Sequence, residues 1–524
     1  MMILLLDPSR RYASSQPCDF ELPGLGLRRP GGFWMQRSKK LTVHSYRAVP
    51  SLLLCLLLLW ITPPLLAVSG LGDSIVAQAK KLGLKESEIS FSIRLPTGEV
   101  IEHRGSQLRA PASCMKLVVA AAALAQLGPD HSLKTELLRL GEIEDGLLKG
   151  DLLVIGGGDP AICGRENKDD LLWELRPWIT QLKGLGIERI EGRVLADVRY
   201  LSGSGVHPDW PVDQLTRWYC APSGALNLND NCIDVVIGPV VEGQVSVQLK
   251  PEHPLLSLRN RLVSTSKKKD HLYHIARSQR GWEVTVSGKF LATSGERTEW
   301  ITVPDPADGF VSVLLKMIED SGIEVSGKKL TPAAKATSVA TIQHTLSSRL
   351  PVMLKQSQNL YADALARVLG RESGGDGSFA SMSPVLKSWL VKNCSAQEGV
   401  VIRDGSGLSR RNLLDARVLR KLLERVLVSR WGAVLLDGLS VGAVDGTLAR
   451  RFRSSPLSGK VRAKTGTIRG VSSLAGVVEW KGVSSPFCLI YQGRNGYTSR
   501  ARDWQDRSLL LLQKAMGGTL APSK

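Results

Sequence analysis

Pro111-Ala112-Ser113-Cys114-Met115-Lys116 opens onto the run Leu117–Leu127, which is apolar on almost every side and closes at Gly128-Pro129. A segment without a polar face is a buried helix, and Gly-Pro is a stop signal. Ser113 therefore stands at the mouth of a core helix. The free N–H groups and the positive dipole end there favour developing negative charge. Lys116 follows three residues later, on the same helix face. A lysine so placed can accept the serine proton if burial or nearby cations lower its pKa. A drop of about 3 units corresponds to ~4 kcal/mol of differential stabilisation. Alone, Ser-x-x-Lys is a common chance match, equally read as an N-cap serine followed by a surface lysine.

Outward from this helix, 70–86 predicts a short helix, and Ile89–Leu95, Pro96-Thr97-Gly98 and Glu99–His103 predict a hairpin. Residues from about 138 to 335 change character. Short β-like runs (Leu152–Ile155, Arg193–Ala196, Ile233–Ile237, Val245–Leu249) alternate with Pro and Gly, which predicts inserted β-rich domains. Helical patterns return at Thr345–Leu354, Leu360–Leu369, Ala380–Val391 and Ala416–Leu427. The chain ends in a meander (Val461–Ala463, Val471–Trp480, Phe487–Tyr491) and an amphipathic helix, Arg500–Met516. An early hairpin and a late meander can share one sheet, so a split domain with an insertion is expected.

Two polar stretches add chemistry. Lys355-Gln356-Ser357-Gln358-Asn359 lies between helices and offers a hydroxyl for proton relay and an amide for a substrate carbonyl, although a polar turn would look the same. Arg462-Ala463-Lys464-Thr465-Gly466-Thr467 sits at an edge of the meander. A cation and a hydroxyl can grip a carboxylate, and glycine lets another backbone approach. The Thr467 N–H, with that of Ser113, could form an oxyanion hole.

In this order, Ser-x-x-Lys, Ser-x-Asn and Lys-Thr-Gly form the signature of penicillin-binding proteins and serine β-lactamases. The long gap from Ser113 to Ser357 resembles one branch, the class C low-molecular-mass penicillin-binding proteins, D-alanyl-D-alanine carboxypeptidase/endopeptidases. Gly157-Gly158-Asp159-Pro160, Asp404-Gly405-Ser406-Gly407-Leu408-Ser409-Arg410, Val444-Asp445-Gly446-Thr447-Leu448 and Val471-Ser472-Ser473-Leu474-Ala475-Gly476 extend the resemblance over roughly residues 75–515. It implies an α+β transpeptidase fold, a five-stranded antiparallel sheet with a helical cluster, interrupted by β-rich insertions. On that pattern 70–137 and 336–524 form the catalytic domain, 138–164 with 226–335 one inserted domain, and 165–225 another. The resemblance further implies that Ser113 is acylated by a penultimate D-Ala carbonyl or by a β-lactam. Lys116 would be the base, Ser357 the proton relay and Asn359 the residue that orients the acyl chain. Lys464 and Thr465 would hold the terminal carboxylate. Asp197, in Leu195-Ala196-Asp197-Val198, would approach the ammonium end of a peptide stem. A β-lactamase or a non-catalytic peptidoglycan-binding module on the same fold are the rival readings. The long insertion disfavours the first and the intact motif set the second.

The N-terminal part reads as an export signal. Arg37, Lys39, Lys40 and Arg47 precede the apolar run 50–61, and Ala67-Val68-Ser69-Gly70 follows it. The run is about half the ~20 residues a membrane span needs, and a short uncleaved anchor is the rival reading. Cleavage is expected after Ser69 or Ala67, with Met35 as the natural start, and the mature chain is expected in the periplasm. The net charge of +19 leaves about +14 beyond residue 69. That suits an anionic partner, cell-wall polymer or a lipid surface, and no nucleic-acid motif is present. Six cysteines lie beyond the leader, and none forms a Cys-x-x-Cys pair; the histidines show no metal-ligand spacing. No metal or cofactor is therefore expected. Cys220 and Cys232 flank a turn and could form a local bridge, but spacing does not fix connectivity.

Overall fold

The computed structural model describes residues 70–165, 167, 170–330 and 335–519, with side chains as far as 516. The export-signal segment lies outside the described residues. Helix α1 (Leu71–Lys81) buries Leu71, Ile75 and Ala79, an i, i+4, i+8 stripe. The hairpin follows as β1 (Ile89–Arg94) and β2 (Val100–His103). Helix α2 (Met115–Gln126) is buried on all sides from Met115 to Leu124, as its lack of a polar face requires. Beyond residue 345 come α3 (Leu346–Lys355), α4 (Asn359–Glu372), α5 (Phe379–Cys394), α6 (Ala416–Leu427) and α7 (Gly432–Gly438). Then β3 (Ser440–Val441), β4 (Val461–Ile468), β5 (Val471–Trp480), β6 (Val483–Gln492) and α8 (Thr498–Thr519) complete the chain.

The catalytic sheet has the order β3-β4-β5-β6-β1-β2 and is antiparallel throughout. Its five longer strands are the expected ones, and the two-residue β3 adds an edge. The first and last strands meet at the centre, with Ile89 opposite Tyr491 and Phe91 opposite Leu489. Side chains alternate across the sheet. Cys488 and Ile490 join the core formed with α2, α4, α5 and α6. Phe487, Leu489 and Tyr491 join the opposite core with α1 and α8. Both faces are thus covered, which explains why β6 reads as a continuous apolar run.

The insertion is divided differently from the expected scheme. The strand Ser132–Glu144 runs straight through the expected boundary at 137/138 and pairs along its length with Ala336–Thr345. The strand Val194–Asp197, expected in a separate inserted domain, pairs in parallel with Leu147–Gly156 of the same sheet. One core, including Leu137, Leu152, Trp178, Val194, Leu226, Phe310 and Ile342, unites these segments. Residues between Cys232 and Thr302 instead build two three-stranded sheets with their own core around Val235, Ile237, Val284 and Phe290. The physical reason is pairing: short strands such as Val194–Asp197 cannot stand alone and join the nearest unsatisfied edge.

The local Cys220–Cys232 bridge is not formed; the six described cysteines are all buried free thiols. The two thiols have different charged neighbours: Asp363, Asp213 and Asp404 act on Cys220, and Arg165, Asp230 and Asp234 on Cys232.

His344, near the end of the strand that re-enters the catalytic part, bridges two carboxylates. Its Nδ1 donates to Asp159 Oδ2 at 2.6 Å, and its Nε2 lies 2.7 Å from Glu174 Oε1. Burial alone would lower its pKa, but the bonds to Asp159 and Glu174 outweigh it and raise the value to about 9. The cation therefore stabilises the fold fully below its unfolded value near 6.5, and that contribution is lost as pH rises through about 9. Thermal denaturation should show stability falling across this window, by about 2–4 kcal/mol in all. His344→Gln should flatten that part of the curve.

Candidate active site

The turn Ala112–Cys114 delivers Ser113 to the start of α2. Ala112 holds φ at +47°, a left-handed conformation that costs a residue with a Cβ about 1 kcal/mol or more. Glycines wedge the turn from two sides. A Cβ at Gly407 would lie 1.9 Å from the Ala112 carbonyl oxygen, and one at Gly466 would lie 2.9 Å from the Ser113 nitrogen. Asp404-Gly405-Ser406-Gly407 and Lys464-Thr465-Gly466 therefore approach the nucleophile backbone as closely as only glycine permits. Ser473 Oγ, on β5, donates to the Pro111 carbonyl at 2.6 Å and pins the turn to the sheet.

Lys116 is wholly buried. Its Nζ lies 3.1 Å from Ser113 Oγ, 2.7 Å from Asn359 Oδ1 and 2.7 Å from the Ser406 carbonyl. A neutral amine has two N–H donors and one lone pair. With the two oxygens taking the donors, the lone pair faces the Ser113 hydroxyl. Burial first, and Lys464 second, push the Lys116 pKa down to about 7, while Asp363 and Asp404 pull the other way.

Ser357 and Asn359 sit at the start of α4, and Ser357 holds φ at +62°. Lys464, buried on β4, donates to Ser357 Oγ at 2.9 Å and to the Thr465 carbonyl at 2.7 Å. Burial brings its pKa down to about 8. Thr465 Oγ1 donates to Thr447 Oγ1 at 2.8 Å, which gives the Val444–Leu448 stretch a place beside the site. A cavity of about 780 Å³ opens over Ser113, Ser357, Asn359 and Thr467. The sequence pattern of the D-Ala-D-Ala carboxypeptidase 3 (S13) family matches residues 73–512.

The chain belongs to the S13 family.

This S13 chain is a serine-type peptide hydrolase of the D-alanyl-D-alanine carboxypeptidase class. It is 29% identical over 425 residues to the D-alanyl-D-alanine carboxypeptidase of Actinomadura sp. (strain R39), covering 76% of each chain. It is 28% identical over 392 residues to the D-alanyl-D-alanine carboxypeptidase DacB of Haemophilus influenzae, covering 72% of this chain and 79% of that one. The crystal structure of penicillin binding protein 4 (dacB) from Haemophilus influenzae shares the fold. Its TM-score is 0.71 at 23% identity, over 84% of this chain and 99% of that one. That Haemophilus protein has also been solved in complex with a β-lactam.

Of the eight residues expected from sequence in the S13 chain, Ser113, Ser357, Asn359 and Thr467 line the cavity. Lys116 and Lys464 lie buried behind Ser113 and Ser357 and bond to them, and Thr465 follows Lys464 on β4. Asp197 is not among them. It ends the strand Val194–Asp197, and its carboxylate is taken by Arg199, whose Nε donates to it at 2.9 Å and whose backbone N–H donates at 3.1 Å. The acid that lines the cavity is Asp213, on the short turn Val212–Gln214, beside Trp218 and Tyr219. Arg410 and Arg469 also line the cavity. Other contributors escaped the sequence reading because they act through backbone atoms: the Ser406 carbonyl on Lys116, and the Tyr219 carbonyl, which accepts from Asn359 Nδ2 at 2.8 Å. Asp404-Gly405-Ser406-Gly407 was visible as a match, but without an assigned job. Among the described residues no group of His, Cys, Asp and Glu could hold a metal ion.

Proposed function

We propose that Ser113 is the nucleophile of a two-step DD-peptidase reaction on peptidoglycan stem peptides. The observation that carries this reading is the buried Lys116 amine, 3.1 Å from Ser113 Oγ, with its pKa brought down to about 7 by burial so that a large fraction is uncharged at neutral pH. Lys116 takes the hydroxyl proton as Oγ attacks the penultimate D-Ala carbonyl carbon. The backbone N–H groups of Ser113 and Thr467 receive the oxyanion. Asn359 orients the acyl chain, and Lys464 with Thr465 holds the terminal carboxylate. As the tetrahedral adduct collapses, the C–N bond breaks and Ser357 passes its proton to the departing amine, regaining one from the Lys116 ammonium and so restoring the neutral amine. Water then clears the ester and regenerates Ser113. β-Lactams, which carry a carboxylate beside a strained amide, follow the first step and stall at the second.

The cavity of about 780 Å³ has room for the acyl-side stem peptide that free ends and cross-linked stems have in common. Asp213 replaces Asp197 as the partner for a stem ammonium. The basic and apolar pattern ahead of Gly70 supports export to the periplasmic side, where this substrate lies. The deciding experiment is to incubate the mature protein with purified peptidoglycan and identify products by mass. Free D-Ala and split cross-linked dimers are expected. Binding of muropeptides without release of either would return the chain to the non-catalytic reading.

A further inference from the structure

Both acceptors that engage the Lys116 amine are themselves held by the inserted segment. Asn359 could present either end of its amide to Lys116. The Tyr219 carbonyl can only accept, so its 2.8 Å bond to Nδ2 directs the amide oxygen at Lys116. The second acceptor, the Ser406 carbonyl, belongs to a loop closed around Asp404. Asp404 Oδ1 accepts from the Gly407 N–H at 2.8 Å and from Asn412 Nδ2 at 2.7 Å. Its Oδ2 accepts from the Ser409 N–H at 2.6 Å. The remaining donor comes from outside the loop: Trp210 Nε1, 2.8 Å from Asp404 Oδ2 and buried. Asp363 supports the same loop from α4, accepting from the Gly405 and Ser406 N–H groups at 2.8 and 2.9 Å.

We infer that Trp210 is a positioning residue of the catalytic apparatus: through Asp404 it fixes the loop whose Ser406 carbonyl holds the Lys116 amine with its lone pair toward Ser113. The inserted segment is therefore a working part of the base and not only a wall of the cavity. Its indole N–H also draws negative charge from Asp404. Without that N–H more of the charge acts on Lys116 and favours the ammonium form. The groups facing Lys116 are Lys464 from β4, Asp363 from α4, Asp404 from the loop and Cys114 from its own helix. Those near Asp404 include His207 and Cys220 from the insertion and Asp363 from α4.

This inference rests on Lys116 acting as the base for Ser113. Wild-type protein that is not acylated at Ser113 by a fluorescent penicillin would refute that reading, not the role of Trp210. Given acylation, the test is the pH dependence of its rate in Trp210→Phe. Phenylalanine keeps an aromatic ring against Phe379, 6.1 Å away in the native pair, and deletes the N–H. The rate at pH 7 should fall roughly tenfold, as expected for a lost bond to a buried charge, and the acid limb should move to higher pH. Tyr200→Phe is the control. It removes the hydroxyl bond to Glu372 that also fastens the insertion to α4, away from the Asp404 loop, and it should lower the melting temperature while leaving the acid limb in place. If Trp210→Phe folds poorly, β-(3-benzothienyl)alanine at 210 removes the N–H with almost no change of shape. A rate within twofold of wild type and a superimposable pH profile would overturn the proposal. So would an equal shift of the acid limb in Tyr200→Phe.

Discussion

Replacing Ser113 by alanine is expected to abolish covalent labelling by a fluorescent penicillin and to lower D-Ala release by at least about 10⁴-fold. The change removes one oxygen from a half-buried side chain on a turn whose geometry is set by other residues. Ala112 keeps its left-handed φ, Gly407 and Gly466 keep their close approach, and Ser473 keeps its 2.6 Å bond to Pro111. The proposed oxyanion donors and carboxylate grip are untouched, so muropeptides should still bind. Intact mass after exposure to penicillin separates the two effects, because binding without an adduct is the expected result. An adduct on the Ser113→Ala protein would place the nucleophile elsewhere in the chain.

The second large effect is expected at Lys116. Lys116→Met keeps an unbranched stem in the buried slot and removes the amine, which should slow acylation by about 10²–10⁴-fold, the usual range for a general base. In wild-type protein the rate should fall as pH drops below about 7, because protonation removes the lone pair. In Lys116→Met that limb should vanish and leave a slow, flat profile. Stability should change little. Asn359 Oδ1 and the Ser406 carbonyl lose a donor, at a cost of about 1–3 kcal/mol each, but the protein no longer buries an amine next to Lys464. A steep acid limb that survives the substitution would assign the titration to another group.

These outcomes bear on what the sequence makes legible. Ser113 and Lys116 are three residues apart on one helix, so their partnership is a local fact. Ser357, Asn359 and Lys464 are far from them in the chain, and only the order of three short motifs brought them together. The misplacement of Asp197 has a simple cause. An aspartate in a promising stretch says nothing about Arg199 two residues on, which satisfies it in place. Asp213 carried no signal because only the fold brings its turn to the cavity. Tyr219 and Ser406 act through carbonyl oxygens, which every residue possesses. The divisions of the insertion were misread for a related reason. Strand pairing, such as that of Val194–Asp197 with Leu147–Gly156, is decided by which edge is free and not by the strand's own composition.

The central pairing of β1 with β6 has a consequence for biosynthesis. Ile89 leaves the ribosome about 400 residues before its neighbour Tyr491. Until then the early hairpin lacks the strand that flanks it, and Lys464 and the glycine that crowds Ser113 have only just been made. Contacts so distant in sequence form slowly and late. A chain cut short before residue 483 lacks the strand that joins the early hairpin to the late meander and is expected to be inactive.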